Sequence, residues 1–198
     1  VRMRKSRALT LLARFASLGY AVPGAVLAIG ILFPFGLFDN ALDRFMRDTF
    51  GVSTGLLLSG TIAALLFAYV VRFLALAYGT LEAGLGRVTP HMDDAARTLK
   101  HGPAKALIKV NLPIIRGSIM TAAILIFVDS MKELPATLLL RPFNFDTLAT
   151  YVYQFASDEL LEECALGALT IVAAGVIPVI LLTRVMSRRR PDQEISVV

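Results

Sequence analysis

The chain has 198 residues, of which 56% are hydrophobic and only 18% are charged, and its mean hydropathy is +0.68. A soluble domain is about 45–50% apolar, and the excess here lies in long blocks, so we predict an all-α integral membrane protein. The single cysteine, Cys164, excludes a disulfide framework and a cysteine-based zinc site, and with two histidines we expect no metal site. The chain opens on VRMRKSR without a signal-peptide pattern, and we expect further spans upstream of it.

Four apolar stretches are candidates for helices that cross a membrane. Phe15 to Phe38, for example, runs 24 residues without a charge, and a bilayer core about 30 Å thick needs about 20 helical residues. The third stretch is shorter and qualifies only when it is extended on both sides. The predicted organisation is a basic segment at 1–14, a transmembrane domain over 15–190 with spans at about 15–38, 53–78, 113–133 and 163–184, and a tail at 191–198.

Lysine and arginine are distributed unevenly around these spans. With both ends of the chain on one side, the segments on that side hold fifteen of them and the two connections on the other side hold four. Positive charge concentrates on the cytoplasmic side of membrane proteins, so we predict that both ends are cytoplasmic. Binding to a membrane surface also accounts for basic ends, but the long apolar runs favour spanning. The cations are split over three flanks, which argues against nucleic-acid binding, and Arg72 is expected to reach the interface from the inner end of its span.

A charged segment, 89–113, lies between the second and third predicted spans. Its apolar residues follow i, i+3, i+4, i+7 spacing from Met92 to Leu99, which predicts a helix with one apolar face. Gly102 is expected to end this helix, and Pro103 to begin a second short one. The segment is then either a solvated loop whose helices rest on lipid headgroups or a docking surface for a cytoplasmic partner.

The same segment resembles the EAA loop of ABC-importer permeases. That family's pattern is Glu-Ala-Ala, three residues, Gly, nine residues and then Ile-x-Leu-Pro, and here D-A-A-R-T-L and V-N-L-P keep its register and spacing. Two positions depart from the pattern: Asp94 stands for Glu, which shortens the reach of the carboxylate, and Lys100 stands for Gly, which removes a flexible position. The residues that the resemblance assigns to coupling with an ATPase are Asp94, Ala95, Ala96, Leu99, Lys100, Gly102, Leu112 and Pro113.

This resemblance implies a transporter subunit and not an enzyme. In the family, the loop sits in a cleft of a separate cytoplasmic ABC ATPase, and that partner binds ATP with Mg²⁺ and hydrolyses it. Consistently, the chain has no G-x-x-x-x-G-K-[ST] phosphate loop. The family also implies a location in the bacterial inner membrane, a periplasmic binding protein that delivers substrate, contact with membrane lipid, and no cofactor bound by this chain.

Charged residues interrupt the third predicted span near its end. Asp129, Lys132 and Glu133 follow the apolar core within about one turn, and Pro135 is expected to break the helix. A charge at membrane depth costs about 2.5–3.5 kcal/mol on insertion scales, and such residues usually face a bundle interior or an aqueous path. Together with Arg141, they lie either at the outer headgroup boundary or in a gate or translocation path. A short amphipathic helix is predicted beyond them.

The tract 132–150, KELPATLLLRPFNFDTLAT, looks like that of the ferric-iron subfamily of these permeases. Members of the subfamily are similar to a fusion of two permease halves, and this chain resembles the second half. The resemblance implies that the chain moves ferric iron, as an ion or a small chelate, from a periplasmic iron-binding protein to the cytoplasm, beside a second permease half. Three alternatives stay open: an importer for thiamine, sulfate, polyamine or phosphonate, an ion-coupled secondary transporter with Asp129 or Glu133 as coupling site, and a membrane scaffold.

Overall fold

The computed structural model describes residues 7–89, 91–92, 98 and 102–187, and every regular element within those ranges is a helix. A π-helical turn, Leu107–Asn111, joins the fourth helix to the fifth. The helices are α1 (Arg7–Leu18), α2 (Gly24–Phe50), α3 (Ile62–Leu85), α4 (Pro103–Ala106), α5 (Leu112–Met131), α6 (Pro135–Leu140), α7 (Leu148–Ser157) and α8 (Leu161–Ser187).

Four of these segments are long and apolar enough to cross a membrane. They are Gly24–Phe50, Ile62–Leu85, Ala104–Met131 and Leu161–Leu181. Since a helix of about 20 apolar residues spans the hydrocarbon core, the prediction of an all-α, multi-pass membrane protein is confirmed. The bounds differ from the predicted ones for the first three spans.

The apolar run 15–38 is not one helix, because the chain breaks between α1 and α2. Pro23 has an extended backbone, with φ −55° and ψ 138°, and the helix resumes at Gly24. Proline has no N–H to donate and is favoured where a helix begins. α2 then continues past the end of the apolar run to Phe50, so the charged residues predicted to form a connection are helical.

The stretch 51–61, which includes the predicted start of the second span at 53, is a loop held to α2 by two aspartates. Asp39 is 1% exposed, and its carboxylate accepts hydrogen bonds from the backbone N–H of Ser59 at 2.7 Å and from the Ser59 hydroxyl at 2.6 Å. Asp43 accepts a hydrogen bond from a second loop N–H at 2.8 Å. Because these carboxylates satisfy loop N–H groups, the chain stays irregular until α3 begins at Ile62.

The helix predicted to begin at Pro103 is confirmed, but it does not end before Pro113. The N–H of Leu112 bonds to the carbonyl of Leu107, five residues back, which widens the turn just ahead of the proline. In a regular α-helix the Pro113 ring would clash with the carbonyl of Lys109. The π-helical turn therefore lets α4 and α5 run on as one helix from the loop into the membrane span.

α3 packs against α1, α2, α5 and α6 and is the centre of the bundle. Gly84, near the end of α3, lies directly against Ser118 of α5, where a Cβ would overlap the serine side chain. Small residues allow helices in a membrane to approach this closely. The buried cluster between α2, α3 and α6 is also rich in alanine and consists of Ala28, Ile31, Ala64, Leu65, Ala68, Ala136 and Leu140. α7 packs along α8, which in turn packs against α5.

Candidate functional site

Five polar side chains meet where two helices are interrupted, and we call them the break cluster. The first interruption, 19–23, separates α1 from α2, and the second, 132–134, separates α5 from α6. Both face the middle of α3. The break cluster consists of Tyr20, Arg72, Asp129, Lys132 and Glu133.

One side of the break cluster is buried and is built on Arg72. Its Nε lies 2.9 Å from Oε2 of Glu133, and its Nη1 donates a hydrogen bond to the backbone carbonyl of Val22 at 2.9 Å. The Glu133 side chain is 7% exposed and the Arg72 side chain 19%. One guanidinium therefore joins α3 to both interruptions, to the first by a hydrogen bond and to the second by a charge pair.

The other side of the break cluster is open. Asp129 accepts a hydrogen bond from the Tyr20 hydroxyl at 3.3 Å and pairs with Lys132 at 2.9 Å. The Lys132 side chain is 63% exposed. A cavity of about 170 Å³ opens here, lined by the five residues and by Phe73.

The start of α6 holds the Glu133 backbone in place. Pro135 occupies the first turn of α6, as its lack of an N–H favours. The Thr137 hydroxyl donates to the carbonyl of Glu133 at 2.6 Å, and the Tyr69 hydroxyl lies 2.6 Å from the same threonine oxygen. Thr137 is fully buried, so the Glu133 carbonyl at the interruption is satisfied inside the bundle.

The break cluster lies near mid-depth of the second span. Arg72 is the eleventh of the 24 residues of α3, which places it about 15 Å from one helix end and about 20 Å from the other at 1.5 Å per residue. Charges at that depth are stable only when paired. The two cations and two carboxylates cancel, and each carboxylate has a cation within 3 Å.

Three of the predicted gate residues, Asp129, Lys132 and Glu133, are brought together, with Pro135 beside them. Arg141 is not part of this group, because it pairs with Asp146 and donates to a loop carbonyl beyond α6. The expectation that Arg72 reaches the interface was wrong, since its side chain lies inside the bundle and pairs with Glu133. The role of Tyr20 was not predicted either. For Arg72, the available signal was the rule that a charge inside a span needs a partner of opposite charge.

The predicted coupling residues are described only in part. Asp94, Ala95, Ala96, Leu99 and Lys100 lie outside the described residues. Gly102, Leu112 and Pro113 are all exposed, and the carbonyl of Gly102 accepts the first hydrogen bond of α4.

The helix that carries the last of these residues extends past the end of α3, with Ala106 and Asn111 buried and other side chains exposed. Because Gly84 near the end of α3 contacts Ser118, the part of the continuous helix before Ser118 extends beyond that end of α3. Apolar side chains on it, including Ile108 at 61% exposed, have no cover within the described part of the chain. This segment is therefore free to contact another subunit or lipid.

The described residues contain no group of three or more His, Cys, Asp or Glu that is arranged to hold a metal ion. In the break cluster, the two carboxylates are each paired with a cation. This part of the chain therefore offers charge pairs and a polar cavity at mid-depth.

Comparison with known proteins gives one family and several relatives. The family described as "Binding-protein-dependent transport system inner membrane component" matches residues 2–190. The chain is 29% identical over 171 residues to "Fe(3+)-transport system permease protein FbpB 2" of Haemophilus influenzae, which covers 86% of this chain and 31% of the relative. It is 26% identical over 131 residues to "Putative 2-aminoethylphosphonate transport system permease protein PhnV" of Salmonella typhimurium, covering 66% of this chain and 49% of the relative.

A third relative is named for a sugar. "Trehalose transport system permease protein SugB" of Mycobacterium tuberculosis is 26% identical over 183 residues, which covers 90% of this chain and 65% of the relative. The chain thus spans about a third of the length of the first relative and about half of the second. All three relatives are named as permease proteins, in agreement with the prediction of a transporter subunit and not an enzyme.

Proposed function

The chain belongs to the family of binding-protein-dependent transport system inner membrane components, and on this basis we propose that it is the permease part of an ATP-driven importer. The family match over nearly the whole chain carries the proposal. The break cluster supports it, because a paired set of charges and a polar cavity at mid-depth suit a path that opens to water.

We propose ferric iron, as the ion or a small chelate, as the transported substrate. Two relatives named for ferric transport support this choice, together with the resemblance of the tract 132–150. Relatives named for 2-aminoethylphosphonate and for trehalose lie at similar sequence distance. Importers for those solutes are therefore the alternatives that a transport experiment has to separate.

The proposed orientation places both ends of the chain and the connection between α3 and α4 in the cytoplasm. The excess of Lys and Arg on these segments supports it. The loop 51–61 and the connection between α6 and α8 then lie on the periplasmic side of the break cluster. In this orientation the exposed apolar residues of the π-helical turn project toward the cytoplasm, where an ABC ATPase would dock.

The proposed mechanism is alternating access. A periplasmic iron-binding protein presents its load at the periplasmic face, and ATP with Mg²⁺ binds to the separate ATPase. Closure of that ATPase acts on the segment 89–113, and the unbroken helix from Pro103 to Met131 carries the movement to the break cluster. A ligand shifts such an equilibrium only through different affinities for the two states, so the helix must hold different positions with and without nucleotide.

A second permease half is also part of the proposal. Long apolar side chains on α2 and α8 are exposed in the single chain, among them Phe33 at 70% and Leu166 at 74%. In a membrane such faces contact lipid or another helical subunit. The second half is either joined to this segment in one longer chain or supplied by another copy.

Docking of the ATPase is tested by Ala96→Glu in the full-length protein, since a glutamate there adds bulk and negative charge to the predicted contact. The matched control is Ala156→Glu, an exposed alanine on α7 at the other end of the molecule. We expect co-purification of the ATPase to be lost in the first variant and kept in the second. Retention of the ATPase and of iron uptake in Ala96→Glu would show that this segment is not the docking site.

The energy source separates an importer from an ion-coupled secondary transporter. Asp129 and Glu133 lie at a depth where a coupling site for protons or sodium would lie, and this position supports the secondary transporter as a second candidate. Vesicles that hold the complex and no ATP are given a proton or sodium gradient. Uptake under those conditions would favour the secondary transporter, and uptake only with ATP supports the importer.

A further inference from the structure

The two helix interruptions depend on one side chain. An interrupted helix leaves carbonyl and N–H groups without helical partners, and at membrane depth each needs another partner. Arg72 supplies two contacts at once: Nη1 satisfies the carbonyl of Val22 in the first interruption, and Nε pairs with the carboxylate of Glu133 in the second. Loss of Arg72 therefore affects both interruptions together.

Two glycines allow the first interruption to lie this close to α3 and α6. A Cβ on Gly19 would overlap the backbone carbonyl of Val71, and a Cβ on Gly24 would lie 2.6 Å from Oε1 of Glu133. Real Cβ atoms do not approach other atoms so closely. The arrangement around Arg72 is therefore tightly packed on its buried side, while the Asp129–Lys132 side is open.

The charges of the break cluster favour a structural link over a resting binding site for a metal cation. Its two carboxylates are already paired with Arg72 and Lys132, so the cluster has no net charge that would attract a cation. A link that joins two chain breaks across α3 can, by contrast, separate and re-form as the helices move. Such elements have two discrete arrangements because packed interiors do not deform continuously.

We propose that Arg72 is a positioning residue that holds the two interruptions together and keeps the path between them closed, and that transport requires its release from Glu133. This inference rests on the proposed transport function. It assigns to Arg72 no contact with the cargo. The open side, where the Tyr20 hydroxyl of the first interruption donates a hydrogen bond to Asp129 beside the second, is then the side at which the interruptions part.

The first test uses hydrogen exchange in the full-length permease, followed by mass spectrometry of the peptides that contain each interruption. Arg72→Gln removes both contacts, and we expect faster exchange in 19–24 and in 132–138. Glu133→Gln leaves the bond from Arg72 to the Val22 carbonyl, so the increase should be confined to 132–138. Arg47→Gln, which breaks a pair with Asp43 within α2, should leave both peptides unchanged.

Arg72→Lys keeps the test interpretable if the glutamine variant does not fold. It retains the positive charge inside the bundle but has one nitrogen in place of the fork that reaches both partners. We expect exchange to increase in at least the first interruption. Unchanged exchange at both interruptions in Arg72→Lys and Arg72→Gln, or an increase at only one of them in Arg72→Gln, overturns the inference.

The second test measures coupling, which a merely structural role would not change. In the complex with its ATPase, hydrolysis without binding protein should rise about fivefold or more in Arg72→Gln, since coupling energies of this kind change populations by such factors. Equal loss of basal and stimulated hydrolysis contradicts the inference. If the wild-type complex moves no iron but the exchange pattern and the basal hydrolysis change as expected, the choice of cargo fails and the role of Arg72 stands.

Discussion

Gly24→Ala tests whether α2 closes on Glu133 as tightly as the structure shows. The added methyl would lie 2.6 Å from Oε1 of Glu133 and 3.3 Å from the backbone nitrogen of Ala136. Overpacking of this kind costs about 1–3 kcal/mol, and for a chain of this size that lowers the melting temperature by about 2–12 °C. The assay is thermal unfolding in detergent micelles, followed by far-UV circular dichroism.

The matched control for this experiment is Gly30→Ala, in the same helix. A Cβ there has nothing within 4 Å, so the change should be neutral or stabilise the helix by up to about 1 kcal/mol. Removing the obstacle with Glu133→Ala should reduce the cost of Gly24→Ala, since neighbouring changes are not additive. Equal melting temperatures for Gly24→Ala and Gly30→Ala would refute the proposed contact.

Two further substitutions test the helix connections by the same unfolding assay. Asp39→Ala leaves loop N–H groups without an acceptor, so it should lower the free energy of unfolding by about 2–4 kcal/mol and speed proteolysis in 51–61. The control, Asp48→Ala on the exposed face of α2, should have little effect. Similar losses of stability in both variants would contradict the anchoring role of Asp39. Gly84→Ala should cost about 1–3 kcal/mol because its methyl meets Ser118, and Ser118→Gly should restore most of that loss. Gly117→Ala, with open space around its Cβ, is the control, and a Gly84→Ala variant as stable as this control would contradict the close approach.

The membrane class and most of the helices were predictable from local pattern. Hydropathy and charge spacing gave the number of spans, Pro135 gave the interruption after α5, and Pro103 gave the start of α4. These features depend on residues close together in sequence. The segment predicted beyond Arg141 is likewise helical, as α7.

The rest depended on contacts between distant residues. Arg72 pairs with Glu133 some sixty positions later. The sequence around Arg72 does not show whether its side chain pairs inside the bundle or reaches the membrane interface. The sequence of 51–61 is mostly apolar and predicts a helix. Instead, its backbone N–H groups donate to two aspartates of α2, and the segment is a loop. Pro113 is a helix breaker by its chemistry, and only the π-helical turn before it allows the helix to continue.

The most direct test of the central claim is iron uptake by the full-length chain, reconstituted in vesicles with its ATPase and its binding protein. We predict ATP-dependent accumulation of ferric iron that requires all three components and is not competed by 2-aminoethylphosphonate or trehalose. Uptake of either of those solutes in place of iron would contradict the proposed cargo. Iron uptake that proceeds without ATP would contradict the proposed mechanism.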